Sequence, residues 1–347
     1  MMDFSGRNAE AIELFRSQTP ANIKDRADVL KALDEVYVST DSDEQLDMEL
    51  ELVVARILDP TAKEGYAVAV LGPSGAGKST LVNRRLDAMK QFAPMDDGYG
   101  NEVQFCLRVQ TPSSCTAKAL GTAILKATGY PLERTPSEDD IWNIIRKRLR
   151  LKMHKVIFLD EFQHVLKGPK AKGGAHLTNT VKLLMQDPEW PVWLIVAGVP
   201  DVMQFVERDE WFQMERRVRP IEIDNLENAE GDIENMRAIV EAMVGPCRME
   251  LAFPTTDDFL RRLMHGGLWR FGMAVQLVKM SIEVALWDDN AAGELKLDHF
   301  VKGYKRLSNC GRDSNVFTAE NWHLIERQVT PRGRLTPGYT LSRAVGA

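Results

Sequence analysis

The sequence is poor in cysteine and has no long apolar run. Its four cysteines form no C-x-x-C pair and lie far from any histidine cluster, which argues against a zinc module and a disulfide framework. We expect them to be reduced packing residues. No stretch approaches the ~18 apolar residues that a membrane span needs, and the N-terminus lacks the basic-then-apolar order of a secretory signal. The sequence therefore predicts a cytoplasmic protein without a membrane partner.

An excess of positive charge is also missing. The 347 residues carry 44 Lys and Arg against 50 Asp and Glu, giving a net charge of −6, so the molecule as a whole lacks the electrostatics of a nucleic-acid-binding protein. Any DNA contact must come from a local basic patch. The run 146–155 holds six Lys and Arg and no acid, and a solvated helix face and a DNA contact are equal interpretations of it.

What the sequence does contain is a glycine loop after an apolar run, "AVAVLGPSGAGKST" at 67–80. The pattern G-x-x-x-x-G-K-[ST] between a strand and a helix predicts an ATP site, in which backbone N–H groups surround phosphate oxygens. We expect Lys78 to reach the β- and γ-phosphates, Ser79 to ligate Mg²⁺ and Thr80 to lie near the α-phosphate. The alternative is a chance glycine-rich turn. The predicted nucleotide-binding residues of the loop are Gly72, Pro73, Ser74, Gly75, Ala76, Gly77, Lys78, Ser79 and Thr80.

Two carboxylates follow a second apolar run, Val156–Leu159. Ligands of open α/β sheets bind at the carboxyl ends of the strands, so we expect Asp160 to hold Mg²⁺ through water and Glu161 to act as the general base in ATP hydrolysis. The alternative is that Asp160 caps a helix and Glu161 is a surface acid. His164 follows four positions after Asp160, but no third metal ligand is near it in the sequence, and we interpret it as a packing residue.

Three arginines are candidates for contacting the γ-phosphate. Arg216 and Arg217 precede the strand-like run 218–223, in the region where a hydrolase that controls assembly places an arginine from a neighbouring subunit. An exposed structural pair is an equally good interpretation of them. Arg270 lies between two predicted helices and is a candidate lid arginine, with a surface position at a helix start as the alternative.

The order of elements predicts an α/β fold with a parallel sheet flanked by helices, followed by a small all-α lid domain. Strand-like runs at 66–71, 103–109, 156–159, 192–197 and 218–223 alternate with helical segments, and from about 227 the helical segments are 229–244, 256–265, 271–288 and 297–307. The predicted divisions are a helical extension at 1–58, a nucleotide-binding core at 59–225, a helical lid at 226–308 and a flexible tail at 309–347.

In this order the pieces resemble the AAA+ ATPases, and more narrowly the TniB/TnsC (MuB-like) family of transposition regulators. The resemblance covers about residues 40–305. Its most specific stretches are "VQTPSSCTAKALGTAILKATGYPL" (109–132) and "VIFLDEFQHVLKG" (156–168), the second being similar to the pattern D-E-h-[HQ]-x-h-L-x-G. One departure is Ala197-Gly198-Val199, where family members commonly have Gly-Thr and AAA+ proteins a polar sensor residue. The departure favours slow hydrolysis.

The resemblance implies an ATP-dependent regulator that forms homo-oligomers on double-stranded DNA without sequence preference. It also implies a transposase and target-selector proteins as partners, and ATP with Mg²⁺ as cofactors. An acidic protein with local lysines fits contact with the phosphate backbone and little base readout. The expected DNA-binding residues are Lys167, Lys170 and Lys172, with Ser113, Ser114 and Thr116 as weaker candidates.

Two other functions remain open from the sequence. One is a nucleotide-switched signalling or secretion ATPase that acts on protein partners without DNA. The other is a structural filament former that binds ATP and barely hydrolyses it. A small-molecule kinase fits poorly, because no pocket for an acceptor substrate can be identified.

Overall fold

The computed structural model describes residues 4–113, 115–132, 136–167, 172–203, 215–291 and 293–326. Its contacts divide the chain into two compact units. The first, which we call the α/β unit, spans Ser39–Asn225. The second, the helical unit, combines Met1–Val38 with the chain from Leu226 onward.

A five-stranded parallel sheet forms the centre of the α/β unit. Its strands are β1 (Ala67–Leu71), β4 (Cys106–Gln110), β5 (Val156–Asp160), β6 (Trp193–Gly198) and β7 (Val218–Glu222), in the order β4-β5-β6-β1-β7. The two-residue strands β2 (Met95–Asp96) and β3 (Glu102–Val103) form a separate antiparallel pair. The apolar run predicted as one strand at 103–109 is therefore divided between β3 and β4.

Both faces of the sheet are covered by helices, which explains why the central strands β1, β5 and β6 are continuous apolar runs. Alternate residues of β1 face opposite sides: Ala67, Ala69 and Leu71 pack into one apolar cluster, while Val68 and Val70 pack into the other. The helices of the first cluster are α5 (Ala117–Ala127), α6 (Glu138–Leu151) and α7 (Lys172–Met185), and those of the second are α3 (Asp41–Ile57) and α4 (Lys78–Ala88). This layering confirms the predicted α/β class.

The N-terminal helical segment is not one extension that ends at residue 58. It forms α1 (Phe4–Gln18), α2 (Ala21–Glu35) and α3, and the contacts place the division at 38/39 instead. The physical reason is the apolar stripe Leu46, Leu50 and Val53, which is fully buried against the sheet. Helix α2 ends before this segment, and α3 begins as a new helix. At its start the backbone N–H of Thr40 donates to the Asp43 carboxylate at 2.8 Å, which is a helix-capping contact.

The helical unit contains the helices that the sequence predicts after the sheet. They are α8 (Glu230–Val244), α9 (Asp257–Gly266), α10 (Phe271–Leu286) and α11 (Leu297–Ser308), with a short parallel pair of strands, β8 (Glu250–Leu251) and β9 (Glu294–Leu295). Leu33 of α2 is buried in the same apolar cluster as these helices. None of the described helices is long and apolar enough to cross a bilayer.

Part of the predicted flexible tail packs on the helical unit. The Phe317 ring lies 5.7 Å from the Phe300 ring and 6.1 Å from the Tyr304 ring between centroids. Arg262 donates hydrogen bonds of 2.8 Å to the carbonyl oxygens of Val316 and Ala319. In the segment of the predicted tail up to residue 326, apolar residues therefore complete the core of the helical unit. Residues 327–347 lie outside the described part of the chain.

Candidate nucleotide site

The glycine loop connects β1 to α4, as the motif predicts. Gly75 and Gly77 have φ of 83° and 101°, which favour glycine strongly. Gly72 is required for a different reason, since a Cβ there would lie 2.8 Å from the carbonyl oxygen of Ile223. The chain can therefore turn tightly at the N-terminus of α4, where backbone N–H groups and the helix dipole favour an anion.

Lys78 is nearly buried, with 9% of the residue exposed. Its ammonium group donates hydrogen bonds to the carbonyl oxygens of Gly72 at 2.9 Å and Pro73 at 2.8 Å. Carbonyl oxygens solvate a cation without neutralising it, and a buried charge is stabilised further by an opposite charge. This arrangement fits a phosphate group held by the loop.

The loop helix and strand β5 meet through two side chains. The Ser79 hydroxyl donates to Oδ1 of Asp160 at 2.8 Å, and the backbone N–H of Glu161 donates to the same oxygen at 2.8 Å. A hydroxyl and a carboxylate are oxygen ligands of the kind that Mg²⁺ prefers. They lie at the carboxyl edge of the sheet, where α/β proteins bind ligands, so the residues present fit a magnesium–nucleotide complex.

Glu161 begins the turn that leaves β5, with φ of 54°. Its carboxylate accepts a hydrogen bond from the side-chain amide of Gln163. Gln163 is not among the site residues predicted from the sequence, although it occupies the [HQ] position of the D-E-h-[HQ] pattern, which was the available signal. His164, interpreted as a packing residue, donates from Nδ1 to the carbonyl oxygen of Thr111 at 3.0 Å.

The two arginines before β7 differ in their surroundings. Arg217 pairs with Glu64 at 2.6 Å, and its side chain is 18% exposed. Arg216 is exposed, and within the described ranges no ion-pair partner accompanies it. Both lie at the starting edge of the sheet, because Val218 is in register with Ala67 at the beginning of β1.

The remaining candidates are only partly described. Arg270 is the N-cap residue of α10 in the helical unit, and its role as a lid arginine stays a prediction. Lys167 ends the 3₁₀ turn after β5 and Lys172 begins α7, whereas Lys170 and Ser114 lie outside the described residues. Thr116 caps α5 by accepting a hydrogen bond from the N–H of Ala119 at 3.1 Å, and Ser113 is exposed.

Three members of the basic run 146–155 have structural partners. Arg148 donates to the carbonyl oxygen of Thr128 at 2.8 Å, Arg150 forms an ion pair of 2.9 Å with Asp187, and the Lys155 ammonium lies 3.8 Å from the centre of the Trp190 ring system. For these three residues the structure favours the structural interpretation over a DNA contact.

A parallel sheet in this strand order, with a phosphate loop after β1 and a paired Ser and Asp beside it, defines an AAA+ P-loop ATPase. A family model described as "Bacterial TniB protein" matches residues 30–228, which is more than half of the chain. The chain belongs to the TniB family, as its motifs predict.

Solved structures of ORC and Cdc6p proteins share the fold. The ORC1 protein of Aeropyrum pernix, solved in complex with DNA, has a TM-score of 0.57 at 16% identity, covering 82% of this chain and 70% of that chain. The ORC2 protein of the same organism, in ADPNP–ADP complexes, has a TM-score of 0.56 at 16% identity, covering 80% and 71%. Cdc6p of Pyrobaculum aerophilum has a TM-score of 0.54 at 14% identity, covering 80% and 70%. No curated protein matches the sequence.

Proposed function

We propose that this protein is an ATP-dependent, DNA-binding regulator of DNA transposition. With ATP it assembles on target duplex DNA and recruits or activates a transposase, and hydrolysis drives its disassembly. The observation that carries the proposal is the pairing of Ser79 with Asp160 beside Lys78 in a chain of the TniB family. A cytoplasmic location remains the expectation drawn from the sequence.

The side chains at the carboxyl ends of the strands have different roles in ATP hydrolysis. Lys78 and the N–H groups of the loop bind the phosphates. Ser79 and Asp160 would hold Mg²⁺, and the ion would neutralise charge on the phosphate oxygens. Glu161 accepts the proton of the water that attacks the γ-phosphorus. The bond from the γ-phosphorus to its bridging oxygen breaks, and ADP and phosphate leave.

Arg216 acts on a neighbouring subunit and not on its own loop. It precedes the first residue of β7, whereas the glycine loop follows the last residue of β1, the adjacent parallel strand. Five strand residues span about 16 Å, so Arg216 and the phosphates of the same chain belong to opposite edges of the sheet. An exposed arginine there is suited to a phosphate bound by a second copy, which makes the site depend on assembly.

Duplex DNA is bound through its phosphates. Lys167, Lys170 and Lys172 follow the element that carries Asp160 and Glu161, so that ATP binding and DNA contact lie next to each other in the chain. The ORC1 protein, which shares the fold, was solved in complex with DNA, and this supports a DNA-binding role. The protein partners we propose are a transposase and a target-selector protein.

The test is retention of the protein on duplex DNA of arbitrary sequence, with and without a nonhydrolysable ATP analogue, over a salt series. We expect nucleotide-dependent retention that weakens steeply with salt, because phosphate contacts release counterions. No retention at low salt with the analogue would contradict the proposal and favour an ATPase that acts on protein partners.

A further inference from the structure

We propose that Gln163 is the positioning residue for Glu161 in ATP hydrolysis. The inference rests on the proposed function, since it assigns the device that holds the general base of that same site. The candidate residues selected from the sequence do not include Gln163.

The contact itself is direct. Gln163 lies in the 3₁₀ turn Phe162–Lys167, and its Nε2 donates to Oε2 of Glu161. The carboxylate can accept the proton of a water only if it is held toward that water, and a glutamate side chain has several rotamers to lose. A fixed amide donor selects one of these rotamers.

The turn that carries Gln163 is itself fixed. Phe162 and Val165 are each 3% exposed and pack into the core under the sheet edge. The backbone N–H of His164 donates to the carbonyl oxygen of Glu161 at 3.0 Å, and its ring donates to the carbonyl oxygen of Thr111 at 3.0 Å. The Gln163 amide is thus presented by a rigid support.

Strand β6 leaves room for this amide. A Cβ on Gly198 would lie 3.2 Å from Oε1 of Gln163 and 2.6 Å from Cγ2 of Val202, so a larger residue would push against both. The carbonyl oxygen of Gly198 accepts a hydrogen bond of 3.1 Å from the N–H of Gly72. The amide therefore lies between the general base and the strand end that is bonded to the phosphate loop.

The end of β6 supplies no polar side chain, since it reads Ala197-Gly198-Val199. Oε1 of Gln163 is buried and has no hydrogen-bond partner among the described residues. Buried polar atoms are usually satisfied, so an unsatisfied amide oxygen requires an explanation, and a functional role is one such explanation. If this side chain served only for packing, methionine would fill the space equally well and would leave no amide oxygen unsatisfied.

The test compares the steady-state hydrolysis of ATP on duplex DNA by the full-length protein and four variants. Gln163→Met keeps the length and removes the donor, Gln163→His offers another donor, and Gln163→Glu keeps the shape without a donor. Gln186→Met is the matched control, because Gln186 follows the end of α7.

We expect kcat of Gln163→Met to fall about 10- to 100-fold, the scale of a misplaced reacting group, with KM for ATP within about 2-fold. Gln163→His should recover most of the lost kcat, and Gln186→Met should match the wild type. A wild-type kcat in Gln163→Met, or equal loss in the Met and His variants, overturns the proposal.

Gln163→Glu decides the question if Gln163→Met does not fold. Loss of kcat with unchanged binding of a nonhydrolysable ATP analogue supports the positioning role, and full activity overturns it. If the wild type itself hydrolyses no ATP, the proposed function fails together with this inference. If the wild type hydrolyses ATP and the variants do as well, the inference fails alone.

Discussion

The Ser79 hydroxyl donates a hydrogen bond of 2.8 Å to Asp160, which lies 81 positions later in the chain. The parallel sheet produces this contact by ending β5 near the beginning of α4. Each residue alone has an ordinary structural interpretation, whereas together they form the pair that we propose to bind magnesium beside the glycine loop. The proposed ATP-dependent assembly of the protein depends on this pair.

Removing the hydroxyl should therefore weaken Mg²⁺-dependent nucleotide binding. In Ser79→Ala we expect ATP affinity in the presence of Mg²⁺ to fall by about 10-fold or more, the scale of one lost charge-assisted contact. The measurement is titration calorimetry with ATP over a series of Mg²⁺ concentrations. Ser113→Ala, an exposed serine after β4, is the control, and a Ser79→Ala curve that overlays the wild type would contradict the assignment.

Replacing Glu161, the proposed general base, should separate nucleotide binding from ATP hydrolysis. Glu161→Gln keeps the shape of the side chain and its polar contacts, but it cannot accept a proton, so we expect hydrolysis to fall by about 10²-fold or more. Complexes with DNA formed in ATP should then dissociate more slowly than those of the wild type. Dissociation is followed by fluorescence after addition of competitor DNA, and wild-type dissociation kinetics would instead indicate a filament former that does not use hydrolysis.

The arginines before β7 should have separable roles. Arg217→Ala removes the largely buried partner of Glu64 and should lower the melting temperature, while Arg216→Ala should leave it unchanged and reduce hydrolysis by about 10³-fold. Mixing Arg216→Ala with Lys78→Ala should restore part of the activity, because one chain supplies the arginine and the other the phosphate loop. Absence of recovery in the mixture would mean that Arg216 does not act between subunits.

Stability should fall in mild acid because of His154. Burial lowers the pKa of this imidazole below its usual 6.5, and the positive charges of Lys152 and Arg148 act in the same direction, while a hydrogen bond with the Gln104 carbonyl opposes them. The unfolded chain then takes up a proton that the folded chain does not. The free energy of unfolding should decrease as the pH falls through about 6.5 toward the lower folded pKa.

The measurement is urea denaturation at about pH 7.5 and about pH 5.5, on either side of the usual histidine pKa. His154→Gln removes the titrating group and should show a smaller loss of stability between the two pH values. An equal loss in the variant would assign the acid sensitivity to other groups.

The sequence was sufficient to place the glycine loop between a strand and a helix and to place Asp160 and Glu161 at the end of a buried strand, because each is a short contiguous pattern. The parallel sheet also followed from the alternation of strands and helices. Short patterns of this kind are determined by the local backbone conformation that they require. They can therefore be recognised without knowing which residues pack against them.

Contacts between distant segments could not be predicted in this way. The pairing of Arg217 with Glu64 spans 153 positions. The position of Gln163 depends on residue 198 being a glycine, because a side chain there would contact the Gln163 amide. Phe317 lies in a segment rich in polar residues, which the sequence predicts to be a flexible tail. In the structure its ring joins those of Phe300 and Tyr304 in an aromatic cluster. The division at 38/39 likewise depends on which core each helix joins.

We propose that nucleotide captured by the glycine loop controls assembly on DNA. Electron microscopy of the protein with duplex DNA, with and without a nonhydrolysable ATP analogue, tests this proposal, with Lys78→Ala as the comparison. We expect ordered rings or filaments on DNA for the wild type with the analogue, and none without it or for Lys78→Ala. Equal assemblies for Lys78→Ala, or assemblies that form without nucleotide, would contradict it.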